Sequence, residues 1–121
     1  MKLKFNGWLF NLFLTSLLIC SFDVSANEEL VESARLNDLV SVKALLDKGI
    51  DANSSKADGS TALHWAALRD NREMVDVLIS AGADPDMANE YGATPLWLAC
   101  NNKSDEMIEQ LLNAGADPNA S

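Results

Sequence analysis

The chain has 121 residues and a net charge of −9 at pH 7, with eighteen acidic and nine basic side chains. This length suits one small domain. A surface of this sign repels nucleic acid and anionic lipid. It would suit a basic protein partner, although a merely solvated acidic surface is the commoner case.

Residues 1–26 have the features of a secretory signal peptide. Lys2 and Lys4 give a positive start, and residues 8–20 form an apolar run with few interruptions. Residues 24–26 are Val-Ser-Ala, which places small side chains before a cut after Ala26. We therefore expect an exported protein, periplasmic or secreted, from a bacterium-like cell.

Two other interpretations of this segment are disfavoured. An uncleaved membrane anchor needs about 20 apolar residues, and this run is shorter. A lipoprotein signal at Cys20 would want a small residue before the cysteine, but Ile19 is large. Contact with a membrane is expected only through an uncleaved signal.

Removal of the signal leaves seven basic and seventeen acidic side chains, a net charge of −10, because Lys2, Lys4 and Asp23 are lost with it. Cys100 is then the only thiol, so no internal disulfide framework is expected. This cysteine falls at a position of small residues that we expect to be buried.

The rest of the chain repeats every 33 residues. Residues 58–67 read DGSTALHWAA and align with residues 91–100, which read YGATPLWLAC. Residues 82–86 align with residues 115–119 at the same offset, and a further step back from Gly82 reaches Gly49. A fixed period of this length indicates a stack of small structural repeats.

Apolar residues follow the same period. In each unit they fall at i, i+3 and i+4, which is one face of a helix. The aligned sets are Val42, Val75 and Ile108; Leu45, Leu78 and Leu111; Leu46, Ile79 and Leu112. Leu30, Leu63 and Leu96 mark a preceding helix, in which small residues follow at Ser33, Ala66 and Ala99 and at Ala34, Ala67 and Cys100. These small side chains would let two helices approach closely.

Helix ends repeat as well. Asp38, Asn71 and Ser104 are favoured N-caps of the second helix in each unit. Thr61 and Thr94 can cap the first helix, Pro95 suits its first position, and Asn27 could cap the leading helix. Gly49, Gly82 and Gly115 stand where the second helix must stop, and Gly59 and Gly92 supply the turn before each threonine. The predicted helices are 28–36, 39–47, 62–69, 72–80, 95–102 and 105–113.

The chain resembles the ankyrin-repeat family. The family's T-P-L-H-x-A pattern stands here as residues 61–66, TALHWA, and residues 94–99, TPLWLA. The resemblance implies an all-α, ankyrin-type solenoid of stacked antiparallel helix pairs joined by β-turn or hairpin-like loops. Ala62 and Trp97 depart from the pattern, and the leading unit lacks its first half, with Glu28 in the threonine place.

Residues 27–55 are therefore expected to form an N-terminal capping unit, and residues 56–88 and 89–121 two ankyrin repeats. No polar capping helix follows residue 113, so we expect a longer array that is truncated or continues past Ser121. The alternative is a naturally short protein whose last helix, 105–113, turns a polar face to solvent.

No residue pattern indicates catalysis, a cofactor or a metal. His64 is the only histidine, and the family resemblance implies that it hydrogen-bonds within and between turns rather than acting as a base or ligand. Asp84-Pro85-Asp86 with Asn89 and Glu90 lacks the spacing of a calcium loop and is ordinary turn chemistry. We expect no enzyme, no small-molecule substrate and no nucleic-acid partner.

The resemblance also implies where a partner protein would bind, on the turn tips and the exposed side of the first helices. Its anchors would be Tyr91 and Arg69, then Leu68 and Glu90, with Asp58, Asn101 and Asn102 beside them. Solvated residues with no partner are the alternative at each single position. Trp65 and Trp97 are expected to pack between helices before they serve in binding.

The sequence thus predicts an exported, non-catalytic scaffold for protein–protein interaction. Two alternatives stay open: the N-terminal repeats of a larger multidomain protein, or a secreted effector directed at a host cell.

Overall fold

The computed structural model describes residues 26–120, which form six helices. The helices are α1, residues 26–35; α2, Leu39–Asp47; α3, Ala62–Leu68; α4, Arg72–Ser80; α5, Pro95–Asn101; and α6, Asp105–Asn113. Each odd-numbered helix turns back into the even-numbered helix that follows it, so the predicted all-α stack of helix pairs is confirmed.

The second helix of each unit begins at a capped residue. The carboxylate of Asp38 accepts from the Ser41 N–H at 3.2 Å. Asn71 does the same for the N–H of Met74 at 3.0 Å, and Ser104 is the equivalent cap of α6. A side-chain oxygen at this position satisfies an amide that the first helical turn leaves free. The predicted bounds of these three helices are confirmed.

The first helices end one residue earlier than predicted. The sequence predicts that Leu36, Arg69 and Asn102 are helical, but they lie in the turns that follow the helices. The reason is the next residue in each unit: Asn37, Asp70 and Lys103 have φ of 61°, 55° and 57°, in the left-handed region that stops a helix.

Asn27 is not the cap of the leading helix, and that prediction is wrong. Both Ala26 and Asn27 are already helical, whereas an N-cap residue has a non-helical backbone. The amide oxygen of Asn27 accepts instead from the Ser54 hydroxyl at 3.2 Å, which ties α1 to the loop before the second unit.

Gly82 ends α4 in the way the sequence predicts. Its φ is +96°, its N–H donates to the Ile79 carbonyl at 3.0 Å, and the N–H of Ala83 donates to the Leu78 carbonyl at 3.0 Å. This pair of bonds closes the last turn and satisfies two carbonyls that the helix leaves free. Gly49 and Gly115 repeat the arrangement at the ends of α2 and α6.

The core runs through the whole stack. Leu63 of α3 and Leu78 of α4 are buried between neighbouring units, and α3 packs against both α4 and α5. The aligned leucines Leu30, Leu96 and Leu111 are buried too. The repeating apolar faces are therefore interfaces between units as well as within them.

Two predicted core positions are exposed in the last unit. Trp97 is 56% exposed, although its counterpart one unit earlier, His64, is buried. Cys100 is also exposed, whereas its counterpart Ala67 is buried. The physical reason is the same for both: the counterparts are covered by the third unit, and no unit covers the third within residues 26–120.

The predicted signal peptide, apart from Ala26, lies outside the described residues. None of the helices within residues 26–120 has the length and apolar character that crossing a bilayer requires.

We predict that Gly82→Ala lowers the free energy of unfolding by about 1 kcal/mol, because a Cβ is strained at this φ even where the space around it is open. Gly82→Asn should lower the free energy of unfolding by less, since asparagine tolerates a left-handed backbone conformation. Urea unfolding of both variants measures the difference. An alanine variant as stable as the parent would show that the helix end is not held in this conformation.

Candidate functional site

Two hairpin-like turns carry the side chains of the site. In the first, the N–H of Lys56 donates to the Ser60 carbonyl at 3.0 Å; in the second, the N–H of Asn89 donates to the Ala93 carbonyl at the same distance. The two turns touch where the N–H of Glu90 donates to the Asp58 carbonyl at 2.8 Å. A Cβ on Gly59 would lie 3.1 Å from the Asn89 Cα, which is tighter than most such contacts, and the φ of +79° also favours glycine here.

His64, on α3, links the two turns by hydrogen bonds. Its Nε2 lies 2.9 Å from the Ala93 carbonyl, which can only accept, so Nε2 carries the proton. Nδ1 then accepts from the Thr61 N–H at 3.1 Å and from the Thr61 hydroxyl at 2.8 Å. Burial lowers the pKa of this imidazole below 6.5. These contacts lie within one turn and between two turns, which is the kind of structural role that the family resemblance implies for His64.

Two adjacent hollows lie between the turns and the first helices. The first hollow, of about 200 Å³, is lined by residues including Asp58, Trp65 and Leu68. The second hollow, of about 360 Å³, is lined by Asn89, Tyr91, Gly92, Ala93, Trp97 and Leu98. Asn89 and Leu98 line both hollows. We call the two hollows together the hairpin groove.

Four predicted anchors lie in or beside the hairpin groove. Asp58 and Leu68 line the first hollow, and Tyr91, 80% exposed, lines the second. Glu90 is exposed on the tip between them. The sequence therefore brings together a phenol, an aliphatic side chain and two carboxylates on one surface.

The other three predicted anchors lie at the ends of the first helices and line neither hollow. Arg69 Nε donates to the Arg35 carbonyl at 3.0 Å, and Asn102 Nδ2 donates to the Leu68 carbonyl at 2.8 Å. Both side chains thus link one unit to the previous one. Asn101 is exposed at the last turn of α5.

The sequence does not assign Asn89 or Leu98 to a binding surface. It assigns Trp65 and Trp97, which also line the groove, to packing between helices first. The Asn89 carboxamide oxygen accepts from the N–H groups of Tyr91 and Ala93, both at 3.0 Å, and so fixes the turn that presents Tyr91. The signal for Asn89 was available, because asparagine two residues before a turn residue is a common turn former. Leu98 has no such signal, since its motif position is usually apolar for packing.

The charged side chain that lines the groove is the carboxylate of Asp58, and Glu90 lies on the neighbouring turn. Glu32 on α1 is bound by Arg35 and by Lys56, at 2.6 Å, and the pKa of its carboxyl is lowered to about 2, with the Arg35 hydrogen bond as the largest cause. Asp58 accepts from the Ser60 N–H at 3.0 Å, which is the main reason why its pKa is lowered. Neither hollow is lined by a lysine or an arginine.

The acidic turn around Asp84 and Asp86 holds its own backbone. The Asp84 carboxylate accepts from the Asp86 N–H at 2.9 Å, and the Asp86 carboxylate accepts from the Asp117 N–H of the next unit at 2.7 Å. Among residues 26–120, no three His, Cys, Asp or Glu side chains converge as metal ligands would.

Comparison with known proteins agrees with this geometry. The sequence profile described as "Ankyrin repeats (3 copies)" matches residues 30–121. The chain belongs to the ankyrin-repeat family. Ankyrin repeats are protein-interaction modules that bind other proteins, and proteins of the family are generally non-catalytic scaffolds.

Two curated relatives carry the name "Ankyrin repeat domain-containing protein 40". The mouse protein is 41% identical over 49 residues, which is 40% of this chain and 14% of that protein. The human protein is 41% identical over 49 residues, or 13% of its own length. The chain thus matches a small part of each relative's length.

We predict that the ankyrin stack loses stability as pH falls from 6.5 toward the folded-state pKa of His64. A lowered folded-state pKa means that the unfolded chain binds more protons in this window. The contribution of His64 to the free energy of unfolding is therefore fully present above pH 6.5 and declines below it. Proton NMR of the single imidazole gives the pKa directly, and urea unfolding gives the slope.

His64→Gln is the matched control. Glutamine at this position can still accept from the Thr61 N–H, as in a capping box, but it does not titrate. The variant should lose the slope in this pH window, while a measured His64 pKa at or above 6.5 would contradict the burial argument.

Proposed function

We propose that this chain is an exported, non-catalytic scaffold that holds a partner protein in its hairpin groove. The observation that carries the proposal is the exposure of Tyr91 and Trp97 around one hollow on a hydrogen-bonded turn. Exposed aromatic side chains on a fixed backbone are common anchors in protein interfaces.

The rigidity of the turn supports this role. Asn89 fixes the backbone on both sides of Gly92, and His64 holds the Ala93 carbonyl from the preceding unit. Little backbone entropy is then lost when a partner binds, and more of the contact energy appears as affinity.

The outer face of the stack is a weaker candidate. A wide recess lies there between α4 and α6, and its lining includes Arg72, Glu73, Asp76, Glu106 and Glu109. Most of these side chains are carboxylates, which are well solvated, and glutamate and aspartate are depleted at interfaces. The hairpin groove is the place where apolar and aromatic surface is concentrated.

Export rests on the signal-like order of residues 1–26, with its basic start, apolar run and small residues before the cut. The acidic mature surface then favours a basic partner in the periplasm or outside the cell. A host-directed effector is the weaker version of the same proposal, because a classical signal leads to the periplasm.

A second candidate is that the chain is the first part of a larger protein. Trp97, Cys100 and Leu112, the last 43% exposed, lie on the side of the third unit where a further repeat would pack. The curated relatives are much longer than the matched segment. An open reading frame that continues past Ser121 into more repeats or another domain would favour this candidate.

We predict that Tyr91→Ala and Trp97→Ala each weaken binding of a captured partner by about tenfold, the loss expected for an interface anchor. Both side chains are exposed, so urea midpoints should stay close to that of the parent. The partner is obtained by affinity capture from a periplasmic extract, and its affinity is measured by calorimetry.

Val40→Ala is the matched control, because Val40 on the outer helix α2 is 80% exposed, as Tyr91 is. Binding should be unaffected. If the Val40 variant loses as much affinity as the Tyr91 variant, or if neither aromatic variant loses any, the groove is not the binding surface. Arg69→Ala is a poorer test, since it also removes the bond to the Arg35 carbonyl.

We predict that the mature protein begins at Asn27 and is released by osmotic shock of the producing cell. Mass spectrometry of the released chain identifies its first residue. A full-length chain that stays with the cytoplasmic or the membrane fraction would refute the export proposal and leave the binding proposal intact.

A further inference from the structure

We propose that the second hollow binds a cationic side chain of the partner, an arginine or a lysine, between the aromatic rings of Tyr91 and Trp97 and beside the carboxylates of Glu90 and Asp58. This inference rests on the proposed function and gives the chemistry of the partner at that surface.

The geometry of the second hollow fits a long side chain with a charged end. Tyr91 and Trp97 are aromatic walls, and Leu98 and Ala93 supply apolar surface for a methylene stem. A guanidinium or ammonium group over the face of such rings is attracted by their quadrupoles, and tryptophan is the best partner of the natural residues. The volume of about 360 Å³ admits a whole arginine side chain.

Neither Glu90 nor Asp58 lines the second hollow, but both carboxylates lie near the Tyr91 phenol, which does line it, and their charge favours a cation over a neutral or acidic group. Glu90 and Asp58 both act on the Tyr91 phenol, whose pKa they raise, with Glu90 as the largest cause. Neither carboxylate takes part in an ion pair within residues 26–120. An acidic segment would be repelled, and a purely apolar one would leave these carboxylates desolvated without a counter-charge.

The first hollow shows why the second is the one that should take the cation. The two hollows are related by the 33-residue repeat. Asp58 in the first hollow occupies the position of Tyr91 in the second, and His64 occupies the position of Trp97. In the first hollow the imidazole is buried and already bonded to Ala93, and the volume is about 200 Å³. Only the second hollow has two exposed aromatic rings.

The probe is a short peptide, Gly-Ser-Arg-Ser-Gly, blocked at both ends. Its control is the same peptide with citrulline in place of arginine. Citrulline keeps the shape and removes the charge. Binding is followed by NMR titration at the Trp97 indole and the Gly92 amide. We expect the arginine peptide to bind at least about threefold more tightly than the citrulline peptide, as cation–π contacts imply.

Variants locate the effect. Trp97→Leu, Tyr91→Leu and Glu90→Gln should each reduce the preference for arginine, with the Gly92 amide as the reporter where the indole is absent. Glu109→Gln removes one carboxylate from the outer recess and should leave the preference unchanged.

Equal binding of the two peptides, or an equal loss in the Glu90 and Glu109 variants, would overturn the proposal, because the attraction would then be absent or due to net charge alone. The wider function is tested separately. A captured partner that needs Tyr91 and Trp97, combined with no arginine preference, would keep the groove as the binding surface and reject its cationic ligand.

Discussion

The packing of each helix pair against the next is the constraint on which the rest of this structure depends. The helices α2 to α6 have seven or nine residues, and isolated helices shorter than about 12–15 residues are marginal in water. Leu63 and Leu78 are fully or almost fully buried because residues of the neighbouring units cover them. A single unit would expose these side chains, so the stack, rather than any one helix pair, is the stable object.

The same stacking builds the hairpin groove. The period of 33 residues places the second turn beside the first, where the Glu90 N–H meets the Asp58 carbonyl and His64 reaches Ala93. These contacts are structural, but they set the spacing between Leu68, Leu98 and the aromatic rings. The shape of the hairpin groove is thus a consequence of the register between units, and a change that shifted this register would abolish the groove.

Much of the fold could be predicted from the sequence because period, caps and apolar faces agree with one another. The bounds of α2, α4 and α6 follow from Asp38, Asn71 and Ser104, whose caps are local. The ends of the first helices were harder to predict from the sequence, because the residues that stop them are not glycines. Positive φ is adopted there by Asn37, Asp70 and Lys103.

The candidate site was harder to predict, because exposure depends on what lies beyond the local sequence. The position of Trp97 in the motif is buried where a further unit packs against it, as at His64. In the third unit no described residue covers this position, and Trp97 is exposed. Arg69 and Asn102 have the right positions for a binding surface, but their side chains bond to carbonyls of the preceding unit. Neither partner atom could be identified from residue type and spacing alone.

The dependence of each unit on its neighbours is tested most directly by urea unfolding of the protein followed residue by residue by NMR. The backbone amides of Val42 in α2, Leu78 in α4 and Leu111 in α6 report on the three units separately. Stacking as the source of stability predicts one common midpoint for all three. Midpoints that separate, with the α4 amide still protected after α6 has unfolded, would contradict it.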